Sequence, residues 1–158
     1  MVTVARSRTA AGFTLPELLI VLTVLAVLMA AGLPSFGEFV RNQRLKTASF
    51  ELFSTLVMAR SEAINRNASV TLAPVLAGDW ASGWTVTATG GTVLRSQEAI
   101  PDNAITITGP ATVVYTGSGR LTGIAAQQFE LKGTGANVVN RCITIDLSGR
   151  PVTKASTC

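Results

Sequence analysis

The sequence has no histidine and only two cysteines among its 158 residues. Without histidine there is no His-based catalytic triad and no His-ligated zinc site, and two thiols cannot build a four-cysteine metal cluster. An enzyme made from this chain would have to use carboxylate, Lys, Tyr or Ser chemistry alone. Charge is also scarce: Asp, Glu, Lys and Arg make up 14%, against about a quarter in an ordinary globular domain. Combined with 47% hydrophobic residues, this excludes a disordered chain or an acidic tail. It fits a soluble domain carrying a membrane segment, at a length suited to one ordinary domain plus an appendage.

Chemistry-bearing motifs are missing as well. The Gly-x-Gly occurrences lack the following glycine and the strand-to-helix setting of a phosphate loop, so they read as turns. Asp79, Asp102 and Asp146 stand singly, without the spacing of a metal loop. No catalytic residue, metal ligand or cofactor is expected. The net charge of +4 says little about partners, because Arg6 and Arg8 precede the apolar run and the rest of the chain holds 11 basic against 9 acidic residues.

What is present is concentrated at the start. Residues 1–12 carry Arg6 and Arg8 and no acid, and residues 13–36 then hold a single charge, Glu17. A helix needs about 20 apolar residues to cross a bilayer, and residues 13–33 are long enough. A buried core helix of this polarity would need a larger protein around it. A cleaved secretory signal is the closer alternative, with Ala30, Ala31 and Gly32 as a cleavage site. Against it stand a run longer than the usual apolar region of about 7–15 residues and a carboxylate near its start.

Glu17 has a local explanation in part. Thr14 and Glu17 have the spacing of a capping box, and Pro16 falls in the first turn, where its missing N–H costs nothing. Capping explains the spacing, but it does not explain a charge within an inserting segment, where an ionisable group needs a partner. Arg6 and Arg8 before the run are matched by Arg41, Arg44 and Lys46 after it, so charge alone does not choose the topology.

The stretch Gly12-Phe13-Thr14-Leu15-Pro16-Glu17-Leu18-Leu19 resembles the class III signal of type IV pilins and pseudopilins. The resemblance implies that a prepilin peptidase cuts after Gly12 and N-methylates Phe13. It also implies that Glu17 is the assembly glutamate, and that Pro34 is the proline common in the helix of such proteins. Pro16 stands where a bulky aliphatic is more usual. The implied location is the inner membrane, single-pass, with a cytoplasmic leader and the C-terminal domain in the periplasm.

After the apolar run the periodicity is helical. Leu45, Ala48, Leu52, Phe53, Leu56, Val57, Ala63 and Ile64 fall at steps of three and four, with most charges off that stripe. A bend is expected near Gly32 and Pro34, and Asn65, Asn67 and Ser69 supply a stop. From 68 to 140 the texture changes to 10 Gly, 11 Thr and seven charges. Strands are predicted at 69–73, 84–89, 105–108, 111–116, 129–132 and 142–147, with turns at the glycine pairs between them. The expected fold class is α+β: a long N-terminal helix, membrane half plus amphipathic half, packed on an antiparallel β domain. The expected divisions are a leader 1–12, a transmembrane and assembly helix 13–35, an amphipathic helix 36–67 and a periplasmic β domain 68–158.

The second half resembles the GspH, FimT and FimU branch of minor pilins and pseudopilins. The resemblance is carried by Ala59-Arg60-Ser61-Glu62-Ala63-Ile64-Asn65-Arg66, by Trp80 through Gly83-Trp84 and Val93-Leu94-Arg95, and by Arg141-Cys142-Ile143 with Ser148-Gly149-Arg150. Trp80 and Trp84 read as packing aromatics. In a chain that looks exported, Cys142 and Cys158 are expected to form a structural disulfide tying down the tail.

The resemblance implies a filament subunit whose partners are other pilins or pseudopilins, the prepilin peptidase and inner-membrane lipid. The machine is a type IV pilus or a type II secretion pseudopilus. An alternative comes from the basic tail, with Lys132, Arg141, Arg150 and Lys154 against Asp146. FimT-type pilins that bind DNA for uptake carry Gly-Arg-x-Arg, and here Gly149-Arg150-Pro151-Val152 has the first arginine and lacks the second. DNA is the partner in that alternative, and a periplasmic β domain behind an ordinary signal is the third reading. Mass mapping of the mature N-terminus is expected to find N-methylated Phe13, whereas a start near Ala31 or Gly32 would establish the secretory signal instead.

Overall fold

Helix α1 spans Leu15–Arg66, 52 residues, in a computed structural model that describes residues 13–101 and 104–158, the side chains of 30–35 excepted. The chain divides after Gly37 into two units. In the first, Leu18, Leu19, Ile20, Val21, Leu22, Val24 and Leu25 are all at least 45% exposed. A helix that is apolar all round requires an apolar environment. The described apolar side chains stop at Met29, short of the about 20 residues a crossing helix needs. Among the described residues no helix is long and apolar enough to cross a membrane. Of the expected span 13–33 the side chains from 30 onward, and that of Pro34 at the expected bend, lie outside the described residues.

In the second unit, residues from Glu38 onward, α1 ends on a cap. Asn67 takes a left-handed φ of 47°, the Ala68 N–H donates to Ala63 O at 3.2 Å, and the Asn67 N–H donates to Ile64 O at 3.1 Å. This pair of bonds satisfies carbonyls that the helix end leaves free. The stop expected around Asn67 is therefore a Schellman cap.

The Thr/Val/Ile alternation builds two four-stranded sheets where one antiparallel domain was expected. The strands are β1 (Val70–Leu76), β2 (Asp79–Ala88), β3 (Val93–Gln97), β4 (Ile105–Thr108), β5 (Val113–Tyr115), β6 (Gln127–Gly133), β7 (Arg141–Ile145) and β8 (Pro151–Lys154). One sheet runs β3-β2-β1-β5 and the other β4-β6-β7-β8, with every pairing antiparallel. All six predicted strands are present. The two missed, β3 and β8, are edge strands with weak alternation and little buried surface, and β8 starts on Pro151, which an edge tolerates.

Leu45, Ala48, Leu52, Leu56, Ala59 and Ala63 of α1 are buried in one core with residues of both sheets. Trp84 donates its indole N–H to Thr55 Oγ1 at 3.3 Å, and Thr55 in turn donates to Glu51 O at 2.8 Å. Trp80 meets Phe129 edge-on at 4.8 Å and donates to Pro110 O, so both tryptophans are core, as expected.

The expected helix stripe needs one correction. Val57 and Ile64 are 44% and 48% exposed, whereas Ala59, not counted in the stripe, is fully buried. Steps of three and four link two opposite faces when every apolar residue is counted together. The buried stripe keeps the 3.6-residue average, and Val57 lies one position, or about 100°, past Leu56. In unfolding of the detergent-solubilised full chain, Leu52→Ala is expected to cost about 2–5 kcal/mol. Val57→Ala is expected to stay within about 0.5 kcal/mol.

Candidate functional site

The start of α1 brings Thr14 and Glu17 together. Thr14 is the residue before the helix, and its carbonyl accepts the Leu18 N–H at 3.1 Å. Glu17 Oε2 accepts both the Thr14 backbone N–H and the Thr14 hydroxyl at 3.4 Å. The carboxylate thus closes back onto the first turn, near the positive end of the helix dipole. Phe13 is 82% exposed. Gly12 lies outside the described residues.

Two polar clamps hold the β domain to α1. At one, Glu38 accepts the Ala136 N–H at 3.1 Å and the Asn137 side-chain amide at 2.7 Å. Asn42 donates to Asn137 O and accepts the Val139 N–H, both at 2.9 Å, and Arg41 donates to Thr134 O at 3.1 Å. The 134–139 loop is thus held by side chains of the helix. The hydrogen bond from Asn137, with those from the backbone, holds the Glu38 carboxyl below its ordinary 4.5.

The second clamp is Arg60. Its Nε donates to Gly119 O at 2.9 Å and its Nη2 to Ser148 O at 3.2 Å. The turn at 146–150 is closed by Asp146, whose Oδ1 accepts the Ser148 hydroxyl and the Arg150 N–H, and these bonds lower its carboxyl pKa. Gly149 has φ 80°, and a Cβ there would collide with Gly119 O, so the two loops meet backbone to backbone. Tyr115 lies buried beside them, its hydroxyl pKa raised by that burial. Sequence reasoning passed over Glu38 and Arg60 as off-stripe charges. The one available signal was their position on α1 immediately flanking the buried apolar stripe.

Cys142 and Cys158 are disulfide-bonded. Cys142 lies on β7 between Glu130 and Lys154 in the adjacent strands, so the bond pins the end of the chain across the outer side of the second sheet. The four basic residues singled out in this region are held differently, although the register places Lys132 and Lys154 on the same outer face as Cys142. Lys132 is paired with Glu130 at 2.8 Å. Arg141 stands opposite buried Leu131 with its Nε buried and unbonded among the described residues. Arg150 sits in the Asp146 turn, and Lys154 lies opposite Cys142 on the edge strand. Among the described residues no group of three or more Cys, Asp or Glu side chains is placed to hold a metal ion.

Comparison with known proteins is consistent with this arrangement. Residues 48–149 match the family model described as type II transport protein GspH, and residues 7–33 match the prokaryotic N-terminal methylation motif. No curated protein matches the chain. Among solved structures, the type IV minor pilin FimU of Pseudomonas aeruginosa in one crystal form superposes with a TM-score of 0.64 at 22% identity, covering 73% of this chain and 92% of that one. A second crystal form of FimU gives 0.60 at 22% identity, covering 69% and 91%.

The two lowered carboxyl pKa values fix the sign of a pH effect. A depressed folded-state pKa contributes stability above the unfolded value, and this is lost as pH falls through the folded one. The thermal midpoint of the full chain is expected to drop on acidification below about pH 5. In the Glu38→Gln plus Asp146→Asn variant, that drop should be shallower and start from a lower midpoint at neutral pH.

Proposed function

This chain belongs to the GspH family and is a minor pilin or pseudopilin, and we propose that it works by assembly rather than by catalysis. The observation that carries the reading is the first unit: a helix whose described side chains are apolar on every side, with one carboxylate, Glu17, folded back onto Thr14. A peptidase cut after Gly12 would leave Phe13 as a methylated, positively charged terminus next to that carboxylate. While the subunit waits in the inner membrane, the apolar helix is covered by lipid. In a filament it is covered by like helices, and the Glu17 of one subunit neutralises the Phe13 ammonium of a neighbour. Pairing matters because an unpaired charge in an apolar bundle is costly, and removing either partner strands the other.

The remaining features fit a single-pass subunit whose β domain lies in the periplasm. A disulfide between Cys142 and Cys158 suits an oxidising compartment. The clamps at Glu38 and Arg60 join the β domain to the part of the helix from Glu38 onward. The filament is a type IV pilus or a type II secretion pseudopilus. Capture of DNA is the weaker reading, since Val152 stands where the second arginine of the motif would be and Lys132 is already paired with Glu130. Phosphate binding draws on several converging cations.

Glu17→Ala is expected to leave cleavage after Gly12 intact and to reduce recovery in sheared filaments by at least about tenfold, as loss of a buried charge pair implies. Normal recovery of that variant would reduce Glu17 to a helix cap.

A further inference from the structure

Strand β8 is fastened to the domain at its two ends and held weakly between them. At its start the turn is closed by the Asp146 N–H donating to Arg150 O at 3.3 Å and by the Arg150 N–H donating to Asp146 Oδ1 at 3.1 Å. Pro151, which opens the strand, is buried. At the far end stands the bond from Cys142 to Cys158. Every residue from Val152 to Thr157 is exposed, and none from Val152 onward belongs to the core that α1 forms with the two sheets. Cysteine apart, the one side-chain hydrogen bond from this segment to the rest of the domain, among the described residues, joins the hydroxyls of Thr153 and Ser49 at 3.4 Å. Cys142 is only 3% exposed, yet it too stands outside that core. The disulfide therefore supports the strand rather than the core.

What the strand covers follows from the register. Pairs along an antiparallel ladder alternate between bonded and unbonded. The bond between Asp146 and Arg150 makes theirs a bonded pair, so the pairs two and four residues further on, Thr144 with Val152 and Cys142 with Lys154, are bonded as well. If β8 left, the outward backbone groups of Thr144 and Cys142 would lose their partners, and β7 would become the edge of the second sheet. β7 is five residues long and includes Ile143, Thr144 and Ile145, and the two isoleucines are held by the core whether or not β8 is in place. Such an ordered, β-branched edge is the kind to which another strand adds.

We infer that residues 152–158 form a redox-controlled strap, hinged at Pro151 and latched by the Cys142–Cys158 bond, that keeps the β7 edge closed only while the bond is intact. Closing the latch takes two electrons and two protons from the two thiols, and the disulfide of a dithiol–disulfide oxidoreductase accepts them and leaves as a dithiol. Opening reverses the exchange. A thiolate of a dithiol reductant attacks one sulfur of the bond, a mixed disulfide forms, and the reductant's second thiolate displaces it to leave both cysteines as thiols. A four-residue strand with one buried side chain has little else to hold it once the loop is no longer closed covalently. The rest of the domain keeps every member of its core. The inference does not depend on the assembly reading, because it concerns the second sheet of a single subunit.

Hydrogen exchange read by mass spectrometry on the detergent-solubilised full chain, oxidised and after reduction with dithiothreitol, tests the strap. Reduction is expected to speed exchange by at least about tenfold in peptides covering Val152–Lys154 and β7, while peptides from α1 between Leu45 and Ala63 and from β1 and β2 stay protected. The Cys142→Ala/Cys158→Ala variant without reductant should give the same pattern. Unchanged exchange at Val152–Lys154 in both would mean that strand pairing alone holds β8. Loss of protection throughout the domain would mean that the bond supports the core. Either result overturns the inference.

Discussion

Everything in the β domain depends on one stripe of helix α1. Leu45, Leu52, Leu56, Ala59 and Ala63 are fully buried, and they share their core with both sheets. Each sheet has an apolar face that neither could bury alone, and the helix supplies the common surface for both. The alanines matter as much as the leucines. Ala48, Ala59 and Ala63 keep the helix thin where strand residues approach, and a larger side chain there would separate the layers.

That dependence explains where the polar residues sit. A core formed by one helix and two sheets leaves long connections at its ends, and their backbone groups need partners. Glu38, Arg41 and Asn42 bind the 134–139 loop, and Arg60 binds the carbonyls of Gly119 and Ser148. Each clamp is a side chain of α1 serving the backbone of a distant loop. The helix therefore organises the domain twice, by apolar burial along its middle and by hydrogen bonds at both ends of the buried stretch.

The same helix links fold to function. Its first part is apolar all round and has no use within a single subunit, while its second part is divided into a face that holds the domain and a face that does not. In the β domain the exposed aliphatics include the adjacent pair Val75 and Leu76 at the end of β1 and single residues such as Ile124 at 97%.

Much of this was legible in the chain itself. The leader motif, the apolar run, Glu17 with Thr14, the helical period from Leu45 onward, the six alternating strands and the cysteine pair are local patterns, and local patterns are set by neighbours in sequence. Tertiary structure decided the rest. β3 and β8 are strands because β2 and β7 pair with them, not because Val93–Gln97 or Pro151–Lys154 alternate strongly. The division of the antiparallel domain into two sheets was decided by strand order, which follows long-range pairing that no window of sequence contains. Val57 and Ile64 were separated from Leu56 and Ala63 by which side of α1 the sheets covered. Among the basic residues, strand alternation separates Arg141 from Lys132 and Lys154, which share the outer face of the second sheet, and the Asp146 turn holds Arg150. Sequence determined which elements form, through propensity and period. Only packing determined which faces they spend on one another, because burial depends on what arrives from elsewhere in the chain.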